Sequence, residues 1–209
     1  MTTLTESQTT FDDAGFEAFL SGRDEPTWLT DSRRKAWSRF NELDWPNKQQ
    51  EEWMRTDIRL FKLNKFTMPA TPLGEQPTSV LDAGVDLGGQ TISLDGISQH
   101  SQLDSELAAK GVLFGNLSDL LREHSEQLQP YFSKTFNPDF DRFSALHSAF
   151  WSSGTVLFVP RGVVVDKPLH AFSGMSDGGK LLRSDSVIPY VGNKNRRDRM
   201  LGGRLPSLS

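Results

Sequence analysis

The segment 51–61, EEWMRTDIRLF, concentrates residue types that can do chemistry: two glutamates, two arginines and a threonine–aspartate step. Two carboxylates can act as a general acid–base pair when both face one pocket. However, Glu51 and Glu52 are neighbours in sequence and point in different directions on a helix, as do Asp12 and Asp13. These pairs therefore predict solvated faces rather than a catalytic pair.

The four histidines are the next candidates, because imidazole can bind metals or transfer protons. They lie at positions 100, 124, 147 and 170, with neither H-x-H nor H-x-x-x-H spacing. Three separate elements could bring them together, but His124 and His147 fall on apolar stripes, which favours packing. The chain has no cysteine, so it has no thiolate nucleophile, disulfide or cysteine-ligated metal site of its own.

Three other features receive structural interpretations. The turn SDGGK at 176–180 lacks the G-x-x-x-x-G-K-[ST] pattern, so we expect a turn between strands and no nucleotide hydrolysis. The basic run KNRRDR at 194–199 could contact phosphates, but it has no interleaved aromatic residues. Large aromatic residues in or beside helices usually anchor packing, which applies to most of Trp28, Trp37, Trp45, Trp53 and Trp151. We therefore assign no catalytic, cofactor-binding or metal-ligating residue and predict that the chain is not an enzyme.

Helical periodicity identifies the elements that would position these residues. Residues 11–20 place Phe16, Phe19 and Leu20 on one side, with a natural stop at Gly22. The next helix ends before Pro46, and Thr30 or Asp31 could cap its start. Its apolar stripe is Ala36, Trp37, Phe40 and Leu43, opposite a predicted polar face of Arg33, Arg34, Lys35 and Arg39.

The later sequence alternates between helices and strands. Helical spacing continues at 48–55, after the Asn116 cap, and again in DFDRFSALHSAFW at 139–151. QTISLDGISQ predicts a hairpin turning at Asp95–Gly96, and GVLFGNL is another short apolar run. The valine-rich stretch 155–174 predicts short strands. Residues 67–89 are rich in proline and glycine and predict a connecting loop.

Composition and charge narrow the class of protein further. The chain has 209 residues, no apolar run long enough to span a membrane, and a polar, acidic N-terminus unlike a secretory signal. A cytoplasmic protein is the expectation. The net charge of −4 is uneven, because residues 180–209 contain seven Lys/Arg and two Asp, a balance of +5, which leaves −9 on the first 179 residues.

Two blocks of sequence together resemble the SufB/SufD family of iron–sulfur cluster assembly proteins, and more closely its SufD branch. The first is RRKAWSRFNELDWPNKQQEEWMRTDIRLF, which is similar to the family's P-x-x-x-x-E-E-W-K-Y-T-D signature, with Met54 and Arg55 replacing the usual Lys and Tyr. The second runs from GVLFGNLSDLLREHSEQLQPYF into FSALHSAFWSSGTVLFVPRGVVVDKPLH, where residues 158–163 match a Y-V-P-x-G-V element. The resemblance covers roughly residues 15–183.

The resemblance implies an α+β fold, in which a helical N-terminal domain leads into the first coils of a right-handed parallel β-helix. We expect a disordered stretch at 1–10, a mainly helical domain at 11–152 with a loop and short strands at 67–115, and the start of the β-helix at 153–183. It also implies a non-catalytic scaffold subunit whose partners are SufB-like and SufC-like subunits. The complex would handle iron–sulfur clusters and ATP through those partners, with no cofactor bound by this chain.

Family members are roughly twice as long, so the resemblance predicts a truncated form without the remaining coils and the C-terminal helical domain. No position here matches the site residues of those parts, and none is carried over. Residues 184–209 are unlike β-helix coils and gain basic charge, which predicts an aberrant, disordered tail. Our hypothesis is a reading-frame shift near residue 183, which resequencing the gene would test.

Two other classes remain as alternatives. Short coils also build carbohydrate-acting parallel β-helix enzymes, although these show many repeated coils and clustered aspartates. A nucleic-acid-binding protein could use the basic tail, and its binding would then depend steeply on salt and disappear without residues 184–209.

Overall fold

The computed structural model describes residues 10–68, 84–132, 137–175 and 185–188. Several predictions lie outside these residues: disorder at 1–9, most of the proline-rich loop at 69–83, the turn at 176–180 and the basic run at 194–199.

The described part of the chain contains helices and short strands, which confirms an α+β fold. The helices are α1 (Asp13–Ser21), α2 (Thr27–Glu42), α3 (Ser105–Ala109), α4 (Leu117–Glu123), α5 (Ser125–Leu128) and α6 (Arg142–Phe150). The strands are β1 (Gly89–Leu94), β2 (Ile97–Leu103), β3 (Leu113–Asn116), β4 (Ser153–Phe158), β5 (Leu169–Gly174) and β6 (Asp185–Ile188). Single 3₁₀ turns occur at Glu51–Trp53, Ile58–Leu60, Leu63–Lys65 and Gln129–Tyr131.

Helices α1, α2 and α6 pack their apolar stripes together. Asp12 begins α1, because its side chain accepts from the backbone N–H of Gly15 at 2.8 Å. The predicted stop at Gly22 is confirmed. Phe16 and Trp37 stack with ring centroids 5.2 Å apart, and Phe150 meets both edge-on. The buried members of this core are Phe16, Leu20, Ala36, Trp37, Phe40, Met68, Ala145, Leu146, Ala149 and Phe150.

The strands form two three-stranded sheets. In one sheet the order is β2–β1–β5, with β1 antiparallel to β2 and parallel to β5. In the other the order is β3–β4–β6, with β4 antiparallel to β3 and parallel to β6. The chain thus passes from β4 to the other sheet at β5 and returns beside β4 at β6. Strand β6 lies within the segment 184–209 that was predicted to be an aberrant tail.

The predicted hairpin is confirmed at Asp95–Gly96, where both residues have positive φ, 54° and 77°. Such a two-residue turn matches the twist of the flanking strands, and aspartate and glycine are the residues that tolerate it. The Asn116 cap is also confirmed, because its side chain accepts from the backbone N–H groups of Ser118 and Asp119. The helix that it begins is interrupted at His124 (φ −125°, ψ 35°), which separates α4 from α5.

Two predicted helix boundaries were wrong. Helix α2 begins at Thr27, with Pro26 before it, so neither Thr30 nor Asp31 is the cap. The predicted helix at 48–55 is a single 3₁₀ turn, which no side chain caps. The Asn47 side chain instead accepts from the backbone N–H of Gln49, which stabilises a local turn.

None of the described helices is both long enough and apolar enough to cross a membrane.

Candidate interaction site

The segment 45–66 wraps around one aromatic side chain of α6. The ring of Phe143 lies 5.2 Å from Trp45, 5.3 Å from Trp53 and 5.3 Å from Phe61, measured between centroids. Trp53 stacks on Phe143, whereas the other two rings meet it edge-on. Aromatic contacts of this kind stabilise beyond the area they bury. They fix an otherwise irregular segment to the helical core.

The two glutamates of the EEW sequence lie outside this aromatic cluster. Glu51 and Glu52 are exposed at the start of the 3₁₀ turn. Within the described residues, neither side chain has a hydrogen bond or ion pair. Trp53, which follows them, supplies the packing contact. The geometry of the segment therefore agrees with an architectural role.

An open groove of about 480 Å³ lies between residues 46–49 and residues 56–59 of this segment. Its lining residues are Pro46, Asn47, Lys48, Gln49, Thr56, Asp57, Ile58 and Arg59. Polar and apolar atoms both contribute to the walls, and the groove opens to solvent. Its shape and mixed lining suit contact with another molecule better than an enclosed reaction chamber.

The Asp57 carboxylate pairs with the two cations that line the groove, Lys48 and Arg59. Its carboxylate accepts from Arg59 Nη2 at 2.6 Å and Arg59 Nε at 2.9 Å, and Lys48 Nζ lies 3.3 Å away. It also accepts from the backbone N–H of Arg59 at 3.1 Å. These bonds, with the Arg59 side chain foremost, hold the pKa of Asp57 well below its usual range. Asp57 is therefore a fixed anion that orients two cations.

A second charged group lies inside the fold. Arg33 is fully buried and donates through Nε to Glu25 Oε2 at 2.7 Å and through Nη2 to Glu25 Oε1 at 2.9 Å. Its Nη1 donates to the Ala149 carbonyl at 2.9 Å, and its guanidinium carbon lies 4.0 Å from the Trp151 ring centroid. Arg23 also pairs with Glu25. One ionic cluster thus ties the α1–α2 connection to α2 and the end of α6.

Burial and pairing oppose each other in this cluster. Burial lowers the pKa of Arg33 to about 10, against the opposing effect of Glu25. Burial alone would raise the pKa of Glu25, but Arg33 and Arg23 together lower it. Arg33 was predicted to lie on the polar face of α2, and that prediction was wrong. The only sequence signal was an acidic residue eight positions earlier, which could pair with it.

The histidines do not form a site in the described residues. His100 lies on β2, His124 between α4 and α5, and His170 on β5, where its Nδ1 is 3.1 Å from Gln90 Nε2. His147 lies on α6, where burial and the nearby Arg33 lower its pKa. Across the part of the chain that the structure describes, no three His, Asp or Glu side chains are grouped so that they could hold a metal ion.

The other candidate residues have structural contacts. Asp12 caps α1, and Asp13 accepts from Trp37 Nε1 at 2.8 Å. Trp28 Nε1 donates to Ser125 Oγ at 2.8 Å, which joins α2 to α5. Trp37 and Trp151 are buried, and Trp45 and Trp53 belong to the Phe143 cluster. The interpretation of the tryptophans as packing residues agrees with these contacts.

Comparison of the sequence with known proteins identifies a family that matches most of the chain. Residues 20–171 match the family model for the SufBD protein N-terminal region. The chain is 30% identical over 162 residues to the iron–sulfur cluster assembly protein SufD of Bacillus subtilis, covering 74% of this chain and 37% of that protein. It is 26% identical over 167 residues to SufB of the same organism, covering 72% of this chain and 35% of that protein.

A similar match extends to a much longer relative. An iron–sulfur cluster assembly SufBD family protein of Mycobacterium tuberculosis is 29% identical over 173 residues, which are 72% of this chain and 19% of that protein. The matched region thus spans little more than a third of the length of these curated relatives, and less in the longest. The family-model match over residues 20–171 includes α2, the segment around Phe143, the Arg33 cluster, strands β1–β4 and the start of β5. The chain belongs to the SufBD family.

Proposed function

We propose that this chain is a scaffold component of iron–sulfur cluster assembly, of the SufD type, with no catalytic role of its own. The observation that carries the proposal is the family match over residues 20–171, which includes the EEW segment and the strand β4 that leads into VPRGV. The relatives reported above are named as cluster assembly proteins. None of those names refers to carbohydrates or nucleic acids, so the two alternatives gain no support.

The architecture that we propose for the strand region is the beginning of a parallel β-helix. Its support is the path of the chain from β4 through β5, in the other sheet, to β6, which pairs in parallel with β4. One coil of a β-helix follows the same path, and each coil buries its apolar face against the next. Limited proteolysis tests this proposal together with a domain boundary near residue 152. We expect the first cleavage beyond about residue 170, and uniform resistance would contradict it.

The partners that we propose are SufB-like and SufC-like subunits, in the cytoplasm. In this arrangement the SufC-like subunit supplies the ATP chemistry, and cysteine chemistry comes from the SufB-like subunit. The absence of cysteine from this chain is compatible with that division of roles. We assign no bound cofactor and no site residue to this chain.

Co-purification tests the proposed partnership. The tagged chain, expressed in its own cells, is captured and its companions are identified by mass spectrometry, beside an untagged strain and a tagged protein of the same size from another family. We expect SufB-like and SufC-like subunits only with the tagged chain. Recovery of neither subunit, from a preparation whose circular dichroism shows folded helices, would contradict the proposal.

A further inference from the structure

The lining of the groove has a net positive charge in a part of the chain that is acidic overall. Its charged residues are Lys48, Asp57 and Arg59, a balance of +1, whereas residues 1–179 together carry −9. A basic patch on an acidic body attracts acidic groups locally while the rest of the surface repels them. Such a pattern favours one orientation of an incoming partner.

Lys48 and Arg59 line the groove, and each has N–H donors that the Asp57 carboxylate does not use. Lys48 and Arg59 both approach Asp57, yet their side chains are 55% and 82% exposed. A lysine has three N–H donors and an arginine five. Asp57 accepts two bonds from the Arg59 side chain and lies near one Lys48 nitrogen. The remaining donors face outward and can bind a second carboxylate.

Apolar side chains lie beside these cations. Ile58 lines the groove. Leu60, directly after Arg59, is 86% exposed, and Met54, beside Trp53, is 53% exposed. Large apolar side chains at such exposure, next to a rigid aromatic cluster, are typical of contact surfaces.

We propose that the groove of residues 46–59 binds an acidic segment of a partner protein. A carboxylate of that segment lies between Lys48 and Arg59, and a neighbouring apolar side chain packs on Ile58 and Leu60. A small free anion would fit poorly, because Asp57 already offsets one of the two cations. A peptide adds apolar contacts along a groove of about 480 Å³, which is large enough for several side chains.

The test is a titration of the full chain with synthetic decapeptides, followed in ¹H–¹⁵N NMR spectra. The peptides contain zero, two or four glutamates, each with and without two leucines. We expect the four-glutamate, two-leucine peptide to bind most tightly and less tightly at high salt. It should shift the indole N–H signals of Trp45, which directly precedes the lining residue Pro46, and Trp53, which lies between the two lining stretches in sequence. The signals of the buried Trp37 and Trp151 should stay in place.

Substitutions test the residues themselves. The double variant Lys48→Gln, Arg59→Gln should bind the four-glutamate, two-leucine peptide with an affinity about tenfold lower than that of the wild type. The control is Arg122→Gln, which removes another exposed arginine paired with a nearby aspartate, at 2.6 Å from Asp119, and should leave binding unchanged. Unchanged core indole signals show that the double variant is folded.

Other outcomes would overturn the proposal. These are the absence of binding by every acidic peptide up to millimolar concentration, shifts away from the groove, or an unchanged affinity in the double variant. Displacement of the peptide by equimolar free glutamate or inorganic phosphate would show that the groove binds a simple anion instead. The proposal does not rest on a role in cluster assembly, because the titration and the co-purification can fail independently.

Discussion

The Arg33 guanidinium donates two hydrogen bonds to the Glu25 carboxylate in the interior of the protein, where the two side chains are 0% and 5% exposed. This two-bond geometry is the strongest arrangement available to such a pair. A buried ion pair nevertheless contributes little net stability compared with apolar packing, because both charges lose their hydration. Removing Arg33 alone is different, since the buried Glu25 then keeps only its pair with Arg23.

We therefore expect Arg33→Met to lower the free energy of unfolding by about 3–5 kcal/mol. Urea denaturation followed by tryptophan fluorescence measures the change. The matched control is Arg34→Met on the same helix, where the pair with Glu17 is exposed to solvent and its loss should change stability little. The double variant Glu25→Gln, Arg33→Met should recover part of the loss. Equal effects at positions 33 and 34 would contradict the assigned burial.

The pH dependence of stability should reflect His147. Its pKa is lowered from the ordinary value near 6.5, because burial and Arg33 both disfavour the imidazolium. The unfolded chain therefore binds more protons than the folded chain as the pH falls through about 6.5, and stability is lost in that direction. His147→Gln should show a smaller loss between pH 7 and pH 5.5 in thermal melts. A steeper loss in the variant would contradict the sign.

The protonation of Glu25 also makes the protein less stable as the pH falls, but at lower pH than that of His147 does. Its folded pKa lies below that of the unfolded chain, so its contribution is present above about pH 4.5 and lost as the pH falls further. The Glu25→Gln variant should be less stable at pH 7 but should lose less stability than the wild type between pH 5 and pH 3. Melting temperatures measured across that range test the prediction, and parallel curves would contradict it.

Local patterns predicted much of this fold. The apolar stripes of α1, α2 and α6, the Asp95–Gly96 hairpin and the Asn116 cap each depend on residues close in sequence, and all are present. The family resemblance, first inferred from two blocks of residues, is confirmed by the match over residues 20–171.

The features that the sequence did not predict depend on contacts between residues far apart in the chain. Periodicity placed Arg33 on a solvent-facing surface, but Glu25, Ala149 and Trp151 supply its partners in the interior. The helix predicted at 48–55 gives way to a single turn, because Trp45, Trp53 and Phe61 all contact Phe143, which lies about 80 to 100 residues later in α6. The groove was missed for the same reason, since it exists only once the segment is wrapped in this way.

The Phe143 cluster gives a fourth prediction. Phe143→Ala removes three aromatic contacts and should destabilise the protein by about 2–4 kcal/mol, because each ring loses both area and favourable geometry. The control is Phe140→Ser, three residues earlier, where the side chain is 64% exposed and the change should stay within about 0.5 kcal/mol. Both values come from urea denaturation at neutral pH. A loss at position 140 as large as that at 143 would contradict the cluster.

Asn116 joins a helix cap to the sheet, which gives a fifth prediction. Its side-chain oxygen accepts from the backbone N–H groups of Ser118 and Asp119, and its Nδ2 donates to Ser153 Oγ at 3.0 Å. Asn116 itself is only 4% exposed. Asn116→Ala should therefore cost about 2–3 kcal/mol, since it removes a cap and leaves buried groups unpaired.

The comparison for this site is Asp104→Ala, which removes the side-chain cap of the short helix α3 at a less buried position. Its cost should be smaller than that of Asn116→Ala, although it also removes an ion pair with Lys167. Hydrogen exchange should show faster opening of α4 and β4 in Asn116→Ala, because one side chain links them. If only the first turn of α4 is affected, the hydrogen bond to Ser153 contributes nothing to the connection between helix and sheet.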